Sequence, residues 1–244
     1  MNRPSRSATA AAILSCLLPG CIRPRFTTPE FEKRQPRSVV VLPTVNSTVD
    51  MDAPVVVRPM VARYVAERGY YVMPSAMVDA VLQSQGITDA GMVSQIKPER
   101  FREVFGADAT LYSTVFDWST KYMVLASTVT VGVEMRLVDN DSGAVLWRIK
   151  RALQRKSDSG GGGGSPIGAL IAMTVSAAVH AAVQDYRPIA EQNVSGLATS
   201  LPPGVHGLAF TSWKADRKAK EAAEKPEGVN KKAGKAAEYR KHDE

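Results

Sequence analysis

Residues 127–154 read STVTVGVEMRLVDNDSGAVLWRIKRALQ, and the period of this stretch decides the fold. Val129, Val131, Val133, Met135 and Leu137 alternate with Thr128, Thr130, Gly132, Glu134 and Arg136. Successive side chains of a strand point to opposite faces, so this one buries a face and wets the other. Asn140–Gly143 is turn chemistry, and the chain returns with Val145, Trp147 and Ile149 predicted inward. With ATLYSTVFDWS (109–119) upstream, the three runs make a β-meander.

The period changes towards the N-terminus. SVVVLP (38–43) is a continuous β-branched run stopped by proline, the pattern of a buried strand, and TVNSTVDMD (44–52) is a polar, turn-rich loop. Val57, Met60, Val61, Tyr64 and Val65 then recur at helical spacing, with Pro59 expected in the first turn and Gly69 as the stop. YYVMP (70–74) is a short strand. Two further helices follow, one capped by Ser75 and stopped by Gly86, the other running from Pro98 to Gly106. This order predicts an α/β (α+β) domain: a mixed sheet with helices on one face and the meander at its side.

Ser157–Ser165 is glycine-rich and predicted to act as a hinge. It lacks the lysine followed by serine or threonine that a phosphate-binding loop requires. Ile167–Val183 is apolar on nearly every face and is expected as a C-terminal apolar helix packed on the domain, or alternatively as an oligomer-forming or membrane-contacting helix. Leu170 and Ile171, among small alanines, are the candidate self-association residues of a symmetric homodimer.

At the other end, Arg3 and Arg6 precede a short apolar run, the layout of a secretory signal peptide. Leu18-Pro19-Gly20-Cys21 resembles the lipobox of bacterial lipoproteins, although Pro19 stands where Ala, Ser or Thr is common. The resemblance implies that Cys21 is acylated and becomes the first mature residue, since a thiol is the most nucleophilic side chain available for lipid transfer. Cys16 would leave with the leader, so the mature chain would hold no thiol for a disulfide, a metal site or a nucleophile. Aspartate after the cysteine retains such proteins at the inner membrane. Here Ile22 and Arg23 follow, which implies the outer membrane, with the domain facing the periplasm or, less often, the cell surface. The division expected is a signal peptide over 1–20, a tether over 21–37, a globular domain over 38–213 and a solvated basic tail over 214–244.

The chain of 244 residues is 44% hydrophobic and 23% charged, with a formal charge of +7. Arg3 and Arg6 lie in the leader and the Lys-rich tail holds further cations, so the folded body is close to neutral and no nucleic-acid partner is indicated. His180, His206 and His242 form no i, i+4 pair, so neither a metal site nor a cofactor is expected. Asn193-Val194-Ser195-Gly196 lacks the first glycine of a nucleophile elbow. Asp117, Glu134, Asp139 and Asp141 lie on or beside strands, where aspartate serves the backbone. No catalytic set can be assembled from these residues.

Five blocks in order, VVVLPTVNSTVDMDAPVVV (39–57), VAERGYYVMP (65–74), REVFGADATLY (102–112), VEMRLVDNDSGAVLW (133–147) and GLATSLPPGVHGLAF (196–210), resemble the bacterial lipoprotein family catalogued as domain of unknown function 799. The resemblance covers about residues 37–210. It implies a domain similar to the N-terminal α/β domain of TolB and to curli-secretion-type lipoproteins, with no established catalysis and with curli-transporter-like lipoproteins as companions. The reading that follows is a non-enzymatic, membrane-anchored scaffold or adaptor in an envelope assembly or transport complex. A carrier of a lipid or other apolar ligand is the alternative, and it would need a cavity between the Ile167–Val183 helix and the sheet.

Overall fold

The structure, a computed structural model, describes residues 27–123, 126–158 and 186–224. The elements run α1 (Pro29–Arg34), β1 (Ser38–Val41), β2 (Val45–Asn46), α2 (Ala53–Glu67), β3 (Tyr71–Val72), α3 (Ser75–Ser84), α4 (Ala90–Val93) and α5 (Pro98–Phe105). The meander follows as β4 (Ala109–Met123), β5 (Ala126–Asp139) and β6 (Val145–Asp158), then α6 (Arg187–Ala198) and α7 (Phe210–Glu224).

The strands form one mixed sheet of order β3-β1-β4-β5-β6, with β2 also paired to β4. β1 is parallel to β3 and β4, and β2 is parallel to β4. β4, β5 and β6 are antiparallel. The α/β (α+β) class and mixed sheet predicted from the sequence are therefore present.

Helices cover both faces at the parallel end, where one face was expected. Val39 and Val41 share a core with Val57, Val61 and Val65 of α2, and Val194 and Leu197 of α6, which packs on α2, β5 and β6, belong to the same core. Val40 and Leu42, pointing the other way, pack with Val78 and Leu82 of α3, Val93 of α4 and Phe101 of α5. A strand with no polar alternation must be covered twice, which is why SVVVL is apolar throughout.

Several boundaries differ from expectation. Residues 27–37, expected as tether, belong to the fold: Thr27 bridges to Trp147, the Thr28 N–H donates to Leu146 O at 2.9 Å, and Phe31 is buried. Prolines and alternating charge hid a short helix around one core aromatic. The tail expected from Lys214 continues as α7 to Glu224, because Ala, Lys and Glu favour helix and the helix is docked. Trp213 meets the edge of the Phe31 ring at 6.1 Å, and Arg217 pairs with Glu32. α2 begins at Ala53, which places Pro59 inside the helix rather than in its first turn. Pro74, not Ser75, precedes α3, and no side chain caps it. Trp147 and Ile149 are buried as expected, but a register shift at Leu137/Val138 buries Leu146 in place of Val145.

Two of the five sequence blocks meet in a backbone clasp. Arg68, Gly69 and Tyr70 at the end of α2 face residues 201–207. The Gly204 N–H donates to Arg68 O at 2.8 Å and the His206 N–H to Gly69 O at 3.1 Å. Arg68 Nε and Nη2 donate to Leu201 O at 2.9 and 2.6 Å, and buried Tyr70 Oη donates to Pro202 O at 2.8 Å. Burial pushes the Tyr70 phenol far above its ordinary pKa, so it stays a neutral donor.

Candidate functional site

The connection from β2 to α2 is held in shape by its own short polar side chains. Asn46 Oδ1 accepts from Thr48 N at 3.0 Å and Thr48 Oγ1 at 2.8 Å, while Asn46 Nδ2 donates to Asp50 O at 2.8 Å. Asp50 Oδ1 then accepts from the Asp52 and Ala53 N–H groups at 2.9 and 3.2 Å, and Ser47 N donates to Val115 O. The residues between these polar positions point outward. Val49 is 98% exposed, Met51 82% and Val55, in the first turn of α2, 70%. Large apolar side chains grouped on an ordered, exposed loop are the ordinary mark of a binding surface.

A cleft of about 220 Å³ lies beside β2. Leu42, Pro43 and Val45 line it from the chain, Ala90 and Val93 from α4, and Arg136 from the sheet. The Arg136 guanidinium stacks over the Tyr112 ring at 4.8 Å. Glu134, which also lines the cleft, accepts from Arg148 Nε at 2.7 Å and lies 3.7 Å from Lys150 Nζ.

At the opposite end of the parallel strands, a groove of about 430 Å³ carries a charged network. Arg34 pairs with Asp139 and Asp141, and Arg102 pairs with Asp108 and Asp141. Asp139 Oδ2 accepts from Ser142 N and Oγ, closing the β5–β6 turn. Burial raises the Asp108 pKa, but the Arg37 and Ser38 N–H groups, the Ser38 hydroxyl and Arg102 together outweigh it and hold the carboxyl below its ordinary value. A depressed carboxyl pKa stabilises the fold above the unfolded value of about 3.9 and stops doing so as pH falls through the folded value. The stability difference between wild type and Asp108→Asn, read as urea midpoints from about pH 6 to about pH 3, should therefore shrink as pH falls.

The remaining carboxylates singled out in the sequence are also occupied: Asp117 accepts from Ser119 Oγ at 2.7 Å, and Glu134 has its two cations. Among the described residues, no group of three His, Cys, Asp or Glu side chains could hold a metal ion, and no helix is long and apolar enough to cross a membrane. Cys21, with Leu18, Pro19 and Gly20, and the self-association residues Leu170 and Ile171 lie outside the described residues, as do the glycine run and the apolar segment 167–183. Residues 44–52 were expected as a loop, but the exposed apolar side chains on it were not anticipated as a surface. Its sequence signal is apolar residues placed singly among Asn, Thr and Asp, which reads as loop before it reads as surface.

The GNA1162-like lipoprotein family model matches residues 27–203, which takes in the loop and the cleft and ends within the clasp, before Gly204. The chain belongs to the GNA1162-like lipoprotein family. Protein NMB1124/NMB1162 of Neisseria meningitidis serogroup B (strain ATCC BAA-335 / MC58) is 33% identical over 153 residues, 63% of this chain and 70% of that protein. The crystal structure of lipoprotein GNA1162 from Neisseria meningitidis is 31% identical with a TM-score of 0.46, covering 59% of this chain and 99% of that one. The PelC dodecamer from Paraburkholderia phytofirmans is 18% identical with a TM-score of 0.39, covering 70% of this chain and 90% of that one. Membership of the GNA1162-like family makes the chain a lipoprotein of the cell envelope, and no enzyme family is among these matches.

Proposed function

We propose that this GNA1162-like chain is an outer-membrane lipoprotein, anchored through Cys21 with its domain in the periplasm, that serves as a non-enzymatic adaptor. The observation that carries the adaptor role is the β2–α2 loop, whose internal hydrogen bonds present Val49 and Met51 to solvent beside Val55. A loop ordered before binding loses little conformational entropy when a partner covers it, and each apolar side chain so covered contributes about 1.5–3 kcal/mol.

The anchor is tested by substitution. Cys21→Ala should abolish palmitate labelling and stop removal of the leader by the second signal peptidase, while Cys16→Ala should change neither. Palmitate incorporation persisting in Cys21→Ala would refute the anchor. The adaptor surface is tested with a photo-crosslinking residue at position 51 in intact cells. Discrete protein adducts should form from position 51 and not from exposed position 218; equal yields at both would refute it.

A further inference from the structure

We propose that the cleft beside β2 is a carboxylate-binding site, in which the Arg136 guanidinium takes a singly charged carboxylate between the sheet and α4. The site goes beyond the adaptor reading and makes no use of the exposed loop.

Topology puts the cleft where open sheets of this kind bind ligands. Within the parallel set β3-β1-β4, the chain leaves β1 through α2 to reach β3 on one side, and leaves β3 through α3, α4 and α5 to reach β4 on the other. α2 lies on one face of β1 and α3, α4 and α5 on the opposite face, so the winding reverses at β1. A crevice forms beyond the carboxyl ends of the strands at such a point. Leu42 and Pro43, directly after the end of β1, line this cleft with Ser94 at the end of α4 and with Thr114, Glu134 and Arg136 of the sheet.

The charges then choose the ligand. Cross-strand register sets Tyr112, Arg136 and Arg148 in one row and Thr114, Glu134 and Lys150 in the next. Glu134 is turned to β6, where it accepts from Arg148 Nε at 2.7 Å and lies 3.7 Å from Lys150 Nζ. Arg136 is held over the Tyr112 ring at 4.8 Å and pairs with no carboxylate among the described residues. A planar guanidinium fixed in this way matches the two oxygens of a carboxylate, and the Ser94 and Thr114 hydroxyls lie in the same lining. Glu134 stands two residues away on the same face, so a second negative charge on the ligand meets repulsion, which disfavours phosphate. The volume of about 220 Å³ is smaller than the roughly 300–1,000 Å³ of drug-sized sites, and so suits a small acid or the end of a chain. Half-buried Pro43, Val45 and Ala90 give an apolar wall for a group the size of a methyl beside the carboxylate.

The test is saturation-transfer NMR on the full-length chain in detergent, with N-acetylalanine, its uncharged amide and inorganic phosphate as probes. N-acetylalanine should saturate the protein in the millimolar range, while the amide and phosphate should bind at least about tenfold more weakly. Arg136→Gln should weaken N-acetylalanine about tenfold or more, and Arg136→Lys should recover only part of that loss. Arg37→Gln, in the groove at the opposite end of the strands, should leave binding unchanged. Glu134→Gln should tighten N-acetylalanine and admit phosphate, a gain that a damaged fold does not produce. A tripeptide ending in alanine separates the two sources of the carboxylate: tighter binding than N-acetylalanine, lost on C-terminal amidation, assigns the site to a chain end, and equal binding assigns it to a free small acid. Equal binding of the acid and its amide, wild-type preference for phosphate, or an Arg136→Gln variant that binds as wild type would each overturn the site, while adducts from position 51 would still support the adaptor.

Discussion

Gly204→Ala should destabilise the domain by at least about 3 kcal/mol, because an added methyl meets backbone rather than a movable side chain. A Cβ at Gly204 would lie 2.4 Å from Gly69 O and 2.9 Å from Tyr70 N. Gly69→Ala should cost as much or more: its φ is +89°, and its Cβ would fall 2.1 Å from Gly207 N. Neither strand of the clasp can withdraw without breaking the Gly204–Arg68 and Tyr70–Pro202 hydrogen bonds. For a domain of this size the loss corresponds to roughly 6–12 °C in thermal midpoint. Gly86→Ala is the control, since its φ is +77° but nothing lies within 4 Å of the added carbon. It carries the backbone strain alone, about 1 kcal/mol. Equal losses at Gly86 and Gly204 would show that the close approach is not what the clasp depends on.

Asn193→Leu should cost about 3 kcal/mol in urea unfolding, through polar groups it leaves unpaired as much as through bonds it removes. Asn193 is fully buried in α6 and donates from Nδ2 to Val131 O at 2.8 Å and Arg151 O at 3.3 Å, so one side chain ties the helix to β5 and β6. Its Oδ1 accepts from Arg151 Nε at 2.9 Å, and Arg151 Nη2 donates on to Asn193 O at 2.7 Å. Replacement by an apolar residue of similar volume keeps the packing and orphans the Val131 carbonyl and the Arg151 Nε–H. Gln192→Leu, one residue earlier and exposed, should cost less than about 0.5 kcal/mol. A loss at Asn193 no larger than at Gln192 would mean that solvent replaces these bonds freely.

The parts of the fold legible in the sequence are those with a local cause. Period-two alternation placed β5, the continuous run Val39–Leu42 placed β1, and the glycines at 69, 86 and 106 ended three helices, each with positive φ in the structure. What escaped had no period to read. β2 is two residues long and α4 four, too short for either pattern, yet they supply Val45, Ala90 and Val93 to the cleft. α1 hid behind prolines, and its burial depends on Trp147 and Trp213, far along the chain. Asn193 was noticed only as part of a failed nucleophile motif, because nothing near it in sequence reveals the carbonyls it serves.

The sequence by itself determined the element types, the mixed α/β class, the resemblance to a lipoprotein family and the candidate anchor at Cys21. These are written in residue spacing, backbone preference and short motifs, which act over a few positions. Only the tertiary structure decided which faces the helices cover, that Gly69 and Gly204 must both be glycine, and that Val49 and Met51 stand in solvent. Those outcomes depend on segments as far apart as Arg68 and Leu201, 133 residues distant, and exposure is fixed by what every other segment leaves uncovered.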